Sequence, residues 1–366
     1  MVKGDFTVTG NIVDPVRNRM YSGTILVGKG RIKAITETGK AASTYLLPGF
    51  VDAHVHVESS MLVPSEFARL AVRHGTVAAV CDPHEIANVL GPAGVRFMID
   101  NGRTTPFKFT FGAPSCVPAT PFETSGARIG PEEIRQMLGW EEIGFLAEMM
   151  NFPGVVNNNA EVMAKIAAAR DLGMPVDGHA PGLTGPDLQR YIAAGMQTDH
   201  ECLSLEEARE KIRLGMKIMI REGSAAKGLA MLLPLLEEFP GHCMFATDDL
   251  KPDDLVRDHI RLLVRKAAGA GIDFFDALRA ATLNPARHYG LNIGLLQPGD
   301  PADFIEVDDL VHLTVLRTFI DGRLAAEKGE SAIARVAVPS PNCFKAGTTG
   351  PDAFRLPDRG RPVRLI

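Results

Sequence analysis

The chain has 366 residues, 45% hydrophobic and 23% charged, which is ordinary for a soluble globular protein and excludes disordered, collagen-like and coiled-coil architectures. Thirty-nine Lys and Arg against 44 Asp and Glu leave a formal charge of −5, without the basic surplus that nucleic acid or anionic lipid requires. Small-molecule chemistry is therefore expected, with neither nucleic acid nor membrane as a partner. Cys81, Cys116, Cys202, Cys243 and Cys343 are odd in number, scattered and never spaced as CxxC, so neither a disulfide framework nor a thiolate zinc site is expected. The N-terminus MVKGDFTVTG lacks a signal-peptide core. The longest apolar run, Leu229 to Leu236, is far short of the ~20 residues of a membrane helix. A cytoplasmic homo-oligomer is the expectation.

Residues 1–47 carry short β-prone segments, FTVTGNIV and GTILVGKGRIKAI, separated by Gly, Asn and Pro turn signals. From residue 48 the pattern changes to short apolar runs alternating with Ala-, Leu-, Glu- and Arg-rich stretches, the pattern of βα units around a buried parallel sheet. Eight runs can be counted: FVDAHVHVE, TVAAVCDP, FKFTFGAP, GFLAEM, PVDGHA, QTDHE, KIMIREGS and CMFATDD. Helices are expected at 64–74, 131–138, 160–172, 185–194, 205–214, 226–238 and 274–288. The count predicts a (β/α)8 TIM-like barrel over 48–294, with a doubly wound sheet as the alternative. DFIEVDD and RTFIDGRLA then return to β character around an Asp-Gly hairpin signal. Residues 1–47 and 295–335 are thus expected to pair into one small β domain, and 336–366, rich in Pro, Gly and Arg, to form an extended tail.

His54 and His56 lie two apart on a β-run, so both imidazoles point to one side, a geometry that suits a metal ion. Glu148 ends the fourth run, His179 the fifth, His200 the sixth and Asp248 the eighth. Barrel active sites are built from residues at the C-terminal ends of strands, so these candidates converge on one mouth. Imidazoles plus carboxylates without thiolates suit one to two divalent ions such as zinc, iron or manganese.

The runs PGFVDAHVHVESSM, CDPHEIANVLG, PSCVPATPFETSG, AEMMNFPGV, VDGHAPGL, DHEC, MIREGSAAK and ATDD together resemble the adenine deaminase family of the amidohydrolase superfamily. ATLNPARHYGL and PGDPADFIEVDDL extend the likeness more weakly. The resemblance implies a metal-dependent barrel flanked by a β domain, and hydrolysis of the 6-amino group of adenine to give hypoxanthine and ammonia in purine salvage. It implies metal ligation by His54, His56, Glu148, His179, His200 and Asp248, with Glu148 as the bridge and iron or manganese, often paired, as the ion. The chain departs from the family in stopping early, as though a C-terminal domain were missing. It also has Lys251 and Asp258 where a His and a Gly are usual, and both departures bear on substrate identity.

Hydrolytic deamination needs activated water and a proton carrier, and Asp248 is the expected carrier. His84 and Glu85 at the same mouth are expected to protonate or orient the ring, with a dipole-favoured helix start as the alternative role. Arg221, Glu222 and Ser224 end the seventh run, where donors can read the purine edge, although an ion pair serves Arg221 equally well. Ser60 is expected in the pocket floor, unless the segment is simply a turn. Two alternatives stay open: a cyclic amide hydrolase of hydantoinase or dihydroorotase type, whose usual metal-bridging lysine is replaced here by Glu148, and an inactive relative that keeps only the metal scaffold.

Overall fold

The computed structural model describes residues 5–40, 42–120, 122–341, 347–358 and 360–362. Cys343 and the segments 1–4 and 363–366 lie outside the described residues. Residues 1–336 form one compact unit and 337–366 another, in which the regular element among the described residues is a single 3-10 turn, Pro351–Phe354.

Four strands open the chain: β1 (Phe6–Asp14), β2 (Arg19–Gly28), β3 (Arg31–Glu37) and β4 (Tyr45–Pro48). The parallel strands follow as β5 (Phe50–Val55), β6 (Thr76–Cys81), β7 (Lys108–Ala113), β8 (Ile143–Met149), β9 (Val176–Gly178), β10 (Thr198–Asp199), β11 (Lys217–Arg221) and β12 (Cys243–Ala246). These are the eight expected runs. The chain then returns through β13 (Phe304–Val307), β14 (Val315–Ile320), β15 (Arg323–Glu327) and β16 (Glu330–Ser331). Both ends share one sheet, ordered β16-β15-β14-β13-β4-β1-β2-β3. Its seam is β4, parallel to β1 and antiparallel to β13, with Pro48 opposite Phe304. The Asp321-Gly322 turn has positive φ at both residues, 47° and 68°, the conformation whose twist suits a tight hairpin. At Gly322 a Cβ would lie 2.8 Å from the Val27 side chain, so close approach also favours glycine there.

The barrel is assembled from two parallel pieces, β5-β6-β7-β8-β9 and β10-β11-β12. Gln197 N donates to Val176 O (3.0 Å) at the β9–β10 joint. The other joint, β12 to β5, is closed by Asp248 N to His54 O (2.9 Å) and His56 N to Asp248 O (3.2 Å). A cluster of Ala53, Val80, Phe145, Ala147, Met219, Met244, Ala246 and Tyr289 draws on β5, β6, β8, β11 and β12, which can meet only in the barrel interior.

The helices 131–138 and 185–194 fall where periodicity puts them. Two longer ones do not survive intact. The stretch 226–238 breaks into Leu229–Leu232 and Pro234–Glu238, because Pro234 has no N–H to continue the ladder. The stretch 274–288 breaks at Thr282, whose backbone leaves the helical region (φ −142°, ψ −74°), into Phe274–Ala280 and Leu283–Tyr289. The break lets Asn284 donate to the carbonyls of Pro240 and Cys243, both at 2.7 Å, and sends Tyr289 into the barrel interior.

Phe145 is fully buried in that interior beneath the strand end that carries Glu148. Phe145→Ala is expected to lower unfolding free energy by about 3–5 kcal/mol, the usual cost of an aromatic-sized void. Denaturant unfolding followed by circular dichroism measures it, and a loss below about 1 kcal/mol would mean that the interior refills.

Candidate metal centre

His54 and His56 leave the end of β5 with their Nε2 atoms 3.2 Å apart. The Asp82 carbonyl lies 2.9 Å from His56 Nδ1, which therefore carries the proton and turns the Nε2 lone pair toward the mouth. Glu148, at the end of β8, divides its two oxygens between neighbours. Oε1 lies 3.3 Å from His56 Nε2, whereas Oε2 lies 2.6 Å from His179 Nδ1 and 3.0 Å from His200 Nε2. Asp248, just beyond β12, places Oδ1 3.2 Å from His56 Nε2 and 3.7 Å from His54 Nε2. All six candidates except His179 are buried.

These atoms fit a divalent ion. Ligands about 2.0–2.2 Å from a common ion stand roughly 3.0–3.5 Å from one another, and the separations above cluster there. Two nitrogens 3.2 Å apart can share only one proton, and His54 Nδ1 and His200 Nδ1 have no hydrogen-bond partner among the described residues. Within the six candidates two sets form, His54–His56–Asp248 and His54–Glu148–His200, and two more draw in neighbours, His179–His200–Glu201 and His56–Asp82–His84–Glu148. Asp248 adopts a left-handed backbone (φ 57°), which Asp tolerates and which the two barrel-closing hydrogen bonds hold in place.

Burial raises carboxyl pKa values, but here it loses. Hydrogen bonds from His179, His200 and His56 hold Glu148 well below its ordinary value, and His56, His200 and His54 do the same for Asp248. Burial would likewise lower His200, yet the Glu148 carboxylate raises it to about 9. His54 goes the other way, lowered by burial and by its neighbours His200 and His56. The carboxylates are thus ionised, the state that metal ligation needs.

The remaining candidates separate. His84 and Glu85 do reach the mouth: His84 Nδ1 lies 3.1 Å from Asp82 Oδ2 and 3.4 Å from Glu148 Oε1, and Nε2 lies 3.4 Å from Glu85 Oε1. Both ring nitrogens of His84 are therefore turned to protein carboxylates. Arg221 makes the ion pairs expected as its alternative role: its guanidinium bonds Asp248 Oδ2 and clasps both Glu201 oxygens, one at 2.8 Å. The side chains of Glu222, Ser224 and Ser60, expected at the substrate, are turned to protein partners. Glu222 bonds Lys266 (2.5 Å), Ser224 donates to Asp254 (2.6 Å), and Ser60 donates to the Val57 carbonyl (2.6 Å). Lys251 begins the short helix Pro252–Arg257, and Asp258 pairs with Arg261 at 2.9 Å; neither belongs to the cluster. Lys165, the lysine nearest in sequence to the fourth strand, bonds the Ser115 carbonyl (2.9 Å) and is likewise outside it.

Sequence reasoning passed over Asp82 and Glu201, although each adjoins a motif histidine in CDPHE and DHEC. It also missed the buried supports. Asp52 accepts from Thr247 N (3.0 Å) and His259 Nε2 (2.9 Å), tying the approach to Asp248 to the strand of His54. Lys211 bonds Asp199 (3.0 Å) and the Ala180 carbonyl (2.8 Å), fixing the segments that carry His200 and His179.

Residues 45–325 match the model of the amidohydrolase family. The chain is 54% identical over 361 residues to an adenine deaminase of Salinibacter ruber, covering 99% of this chain and 66% of that protein. It is 54% identical over 346 residues to an adenine deaminase of Sulfurovum sp., covering 94% and 65%. The chain thus spans just under two thirds of the length of these relatives. Among solved structures, a beta-aspartyl dipeptidase of Fervidobacterium islandicum AW-1 aligns over 92% of this chain and 100% of its own, with TM-score 0.68 and 15% identity, a likeness of fold alone.

Binding of Mn²⁺ to the native state alone is expected to raise Tm, by the equivalent of about 2.7 kcal/mol when the free ion is 100 times its Kd, with chelation reversing the gain. Differential scanning calorimetry reads this directly. An unchanged Tm across that range would remove the metal reading.

Proposed function

The chain belongs to the amidohydrolase family, and from that premise we propose that it hydrolyses adenine to hypoxanthine and ammonia. The observation that carries the proposal is the 54% identity to proteins named adenine deaminase across almost the whole chain. The converged His and carboxylate cluster supplies a fitting centre. His54, His56, Glu148, His179, His200 and Asp248 would hold one to two ions, with manganese, iron or zinc suited to the nitrogen and oxygen donors. A divalent ion of this kind acts as a Lewis acid and lowers the pKa of water toward ~7.

Addition of water at C6 forms a C–O bond and, after proton transfer, breaks the bond to the amino nitrogen. We assign to Asp248 the uptake of the water's proton and its return to the departing amine, a reading supported by Arg221 holding Oδ2 while Oδ1 stays at the centre. Glu201 fixes Arg221, so the carboxylate cannot rotate freely between its two oxygens. His84 and Glu85 are the residues we assign to ring contact; each already faces charged neighbours, Glu85 with Oε1 3.4 Å from His84 Nε2 and Oε2 3.5 Å from His56 Nδ1. A carboxylate there can accept a ring N–H of the free base. A cavity of about 440 Å³, walled by Ser115, Cys116, Asn151 and Lys165, lies beside the end of β8, and none of the six metal candidates lines it. Four free, buried cysteines among the described residues support a reducing, cytoplasmic setting, and purine salvage is the role that this reaction fits.

Asp248→Asn should keep the fold and lose about 10²- to 10⁴-fold in kcat, the usual contribution of a proton-transferring group. A variant retaining more than about a tenth of the wild-type rate with normal metal content would place proton transfer elsewhere.

Ammonia release should be seen with adenine and should fall by ~10⁴ or more with adenosine, whose sugar replaces a ring N–H that a polar site would otherwise bond. Equal rates on the two would overturn the free-base reading. Turnover of dihydroorotate alone would move the chain to cyclic amide hydrolysis.

A further inference from the structure

Asp82 stands at the mouth beside His84 and has no part in the chemistry above. Asp82 is 1% exposed, its Oδ2 is 3.1 Å from His84 Nδ1, and its Oδ1 is buried without a hydrogen-bond partner among the described residues. His84 Nδ1 is also 3.4 Å from Glu148 Oε1, the oxygen that faces His56 Nε2 at 3.3 Å while Oε2 faces His179 and His200. Asp82, His84, Glu148 and His56 offer ligand atoms that all lie within 4.8 Å of one another. His56 is already engaged, with Nε2 facing His54 and Asp248 and Nδ1 bonded to the Asp82 carbonyl.

We propose that Asp82 Oδ2, His84 Nδ1 and Glu148 Oε1 form an outer divalent-cation position, additional to the ions held by the six inner residues. One imidazole and two carboxylates suit a first-row ion such as Mn²⁺. Separations of 3.1 and 3.4 Å fall in the range that ligands about 2.0–2.2 Å from one ion impose. With Nδ1 as ligand, His84 Nε2 keeps its proton and donates toward Glu85 Oε1 at 3.4 Å, the carboxylate support that orients most ligating histidines. The Asp82 carbonyl holds His56 while the Asp82 carboxylate serves the outer position, so one loop anchors both. The inference rests on reading the inner residues as a metal centre and does not depend on deamination.

Mn²⁺ is titrated into metal-free wild type, Asp82→Asn, His84→Gln and His54→Gln, with free ion followed by electron paramagnetic resonance. The two outer variants are expected to bind one ion fewer per chain than wild type while keeping the inner ions. His54→Gln is expected to weaken inner binding and spare the outer ion. Identical stoichiometry in wild type and both outer variants overturns the outer position, and loss confined to His54→Gln does so while leaving the inner centre standing. Absence of Mn²⁺ binding in wild type sinks the inner centre as well. Should an outer variant misfold, anomalous scattering from wild-type crystals grown with Mn²⁺ decides: a peak between Asp82, His84 and Glu148 supports the position, and its absence refutes it.

Discussion

The barrel closes through two backbone hydrogen bonds between the strand of His54 and His56 and the residue Asp248. Closing a parallel barrel requires its first and last strands to meet, and here the meeting point is the candidate centre itself. Asp248 reaches across in a left-handed conformation that an isolated chain would disfavour, and the joint sustains it. A ligand pair that depends on barrel closure is set by the whole core, because every intervening strand must be in register before His54 and Asp248 can face one another.

The same constraint explains the density of buried charge around the joint. Carboxylates and imidazoles at 0–5% exposure would be costly if unpaired, so each is met by a partner or aimed at the centre. Asp52 and His259 brace the first strand against the segment after the last, and Lys211 with Asp199 braces the two loops in between. Such pairs contribute little net stability compared with an apolar core, but breaking one leaves an uncompensated buried charge. Their use here is positional, since a ligand displaced by even 1 Å no longer shares a centre.

Glu148 is the electrostatic counterpart of that joint. Its two oxygens face different histidine groups, His56 and His84 on one side and His179 and His200 on the other, so a single carboxylate couples opposite walls of the mouth. Arg221 does something related for Asp248, occupying one oxygen and leaving the other to the centre. Both carboxylates are thereby oriented by neighbours that come from different strands.

Much of this was legible in the chain. Eight short apolar runs alternating with helical stretches point to a buried parallel sheet, because a strand buried on both faces must be apolar throughout, and their count favours a barrel over a doubly wound sheet. The spacing of His54 and His56 predicts convergence, and the place of Glu148, His179, His200 and Asp248 at run ends puts them at one mouth. What the sequence could not decide is where each side chain turns once there. Arg221, Glu222 and Ser224 occupy one run end alike, yet Arg221 faces Asp248 while Glu222 reaches Lys266 and Ser224 reaches Asp254. Helices 226–238 and 274–288 likewise look continuous by period but break where Pro234 and Thr282 meet the packing of their neighbours. Local pattern determines which elements form and which residues arrive at their ends, because period and propensity act within a few residues. Pairing among side chains from strands up to about 200 positions apart is decided only by the closed barrel, because the partners of Asp52, Glu148 and Asp248 exist as neighbours in no shorter piece of the chain.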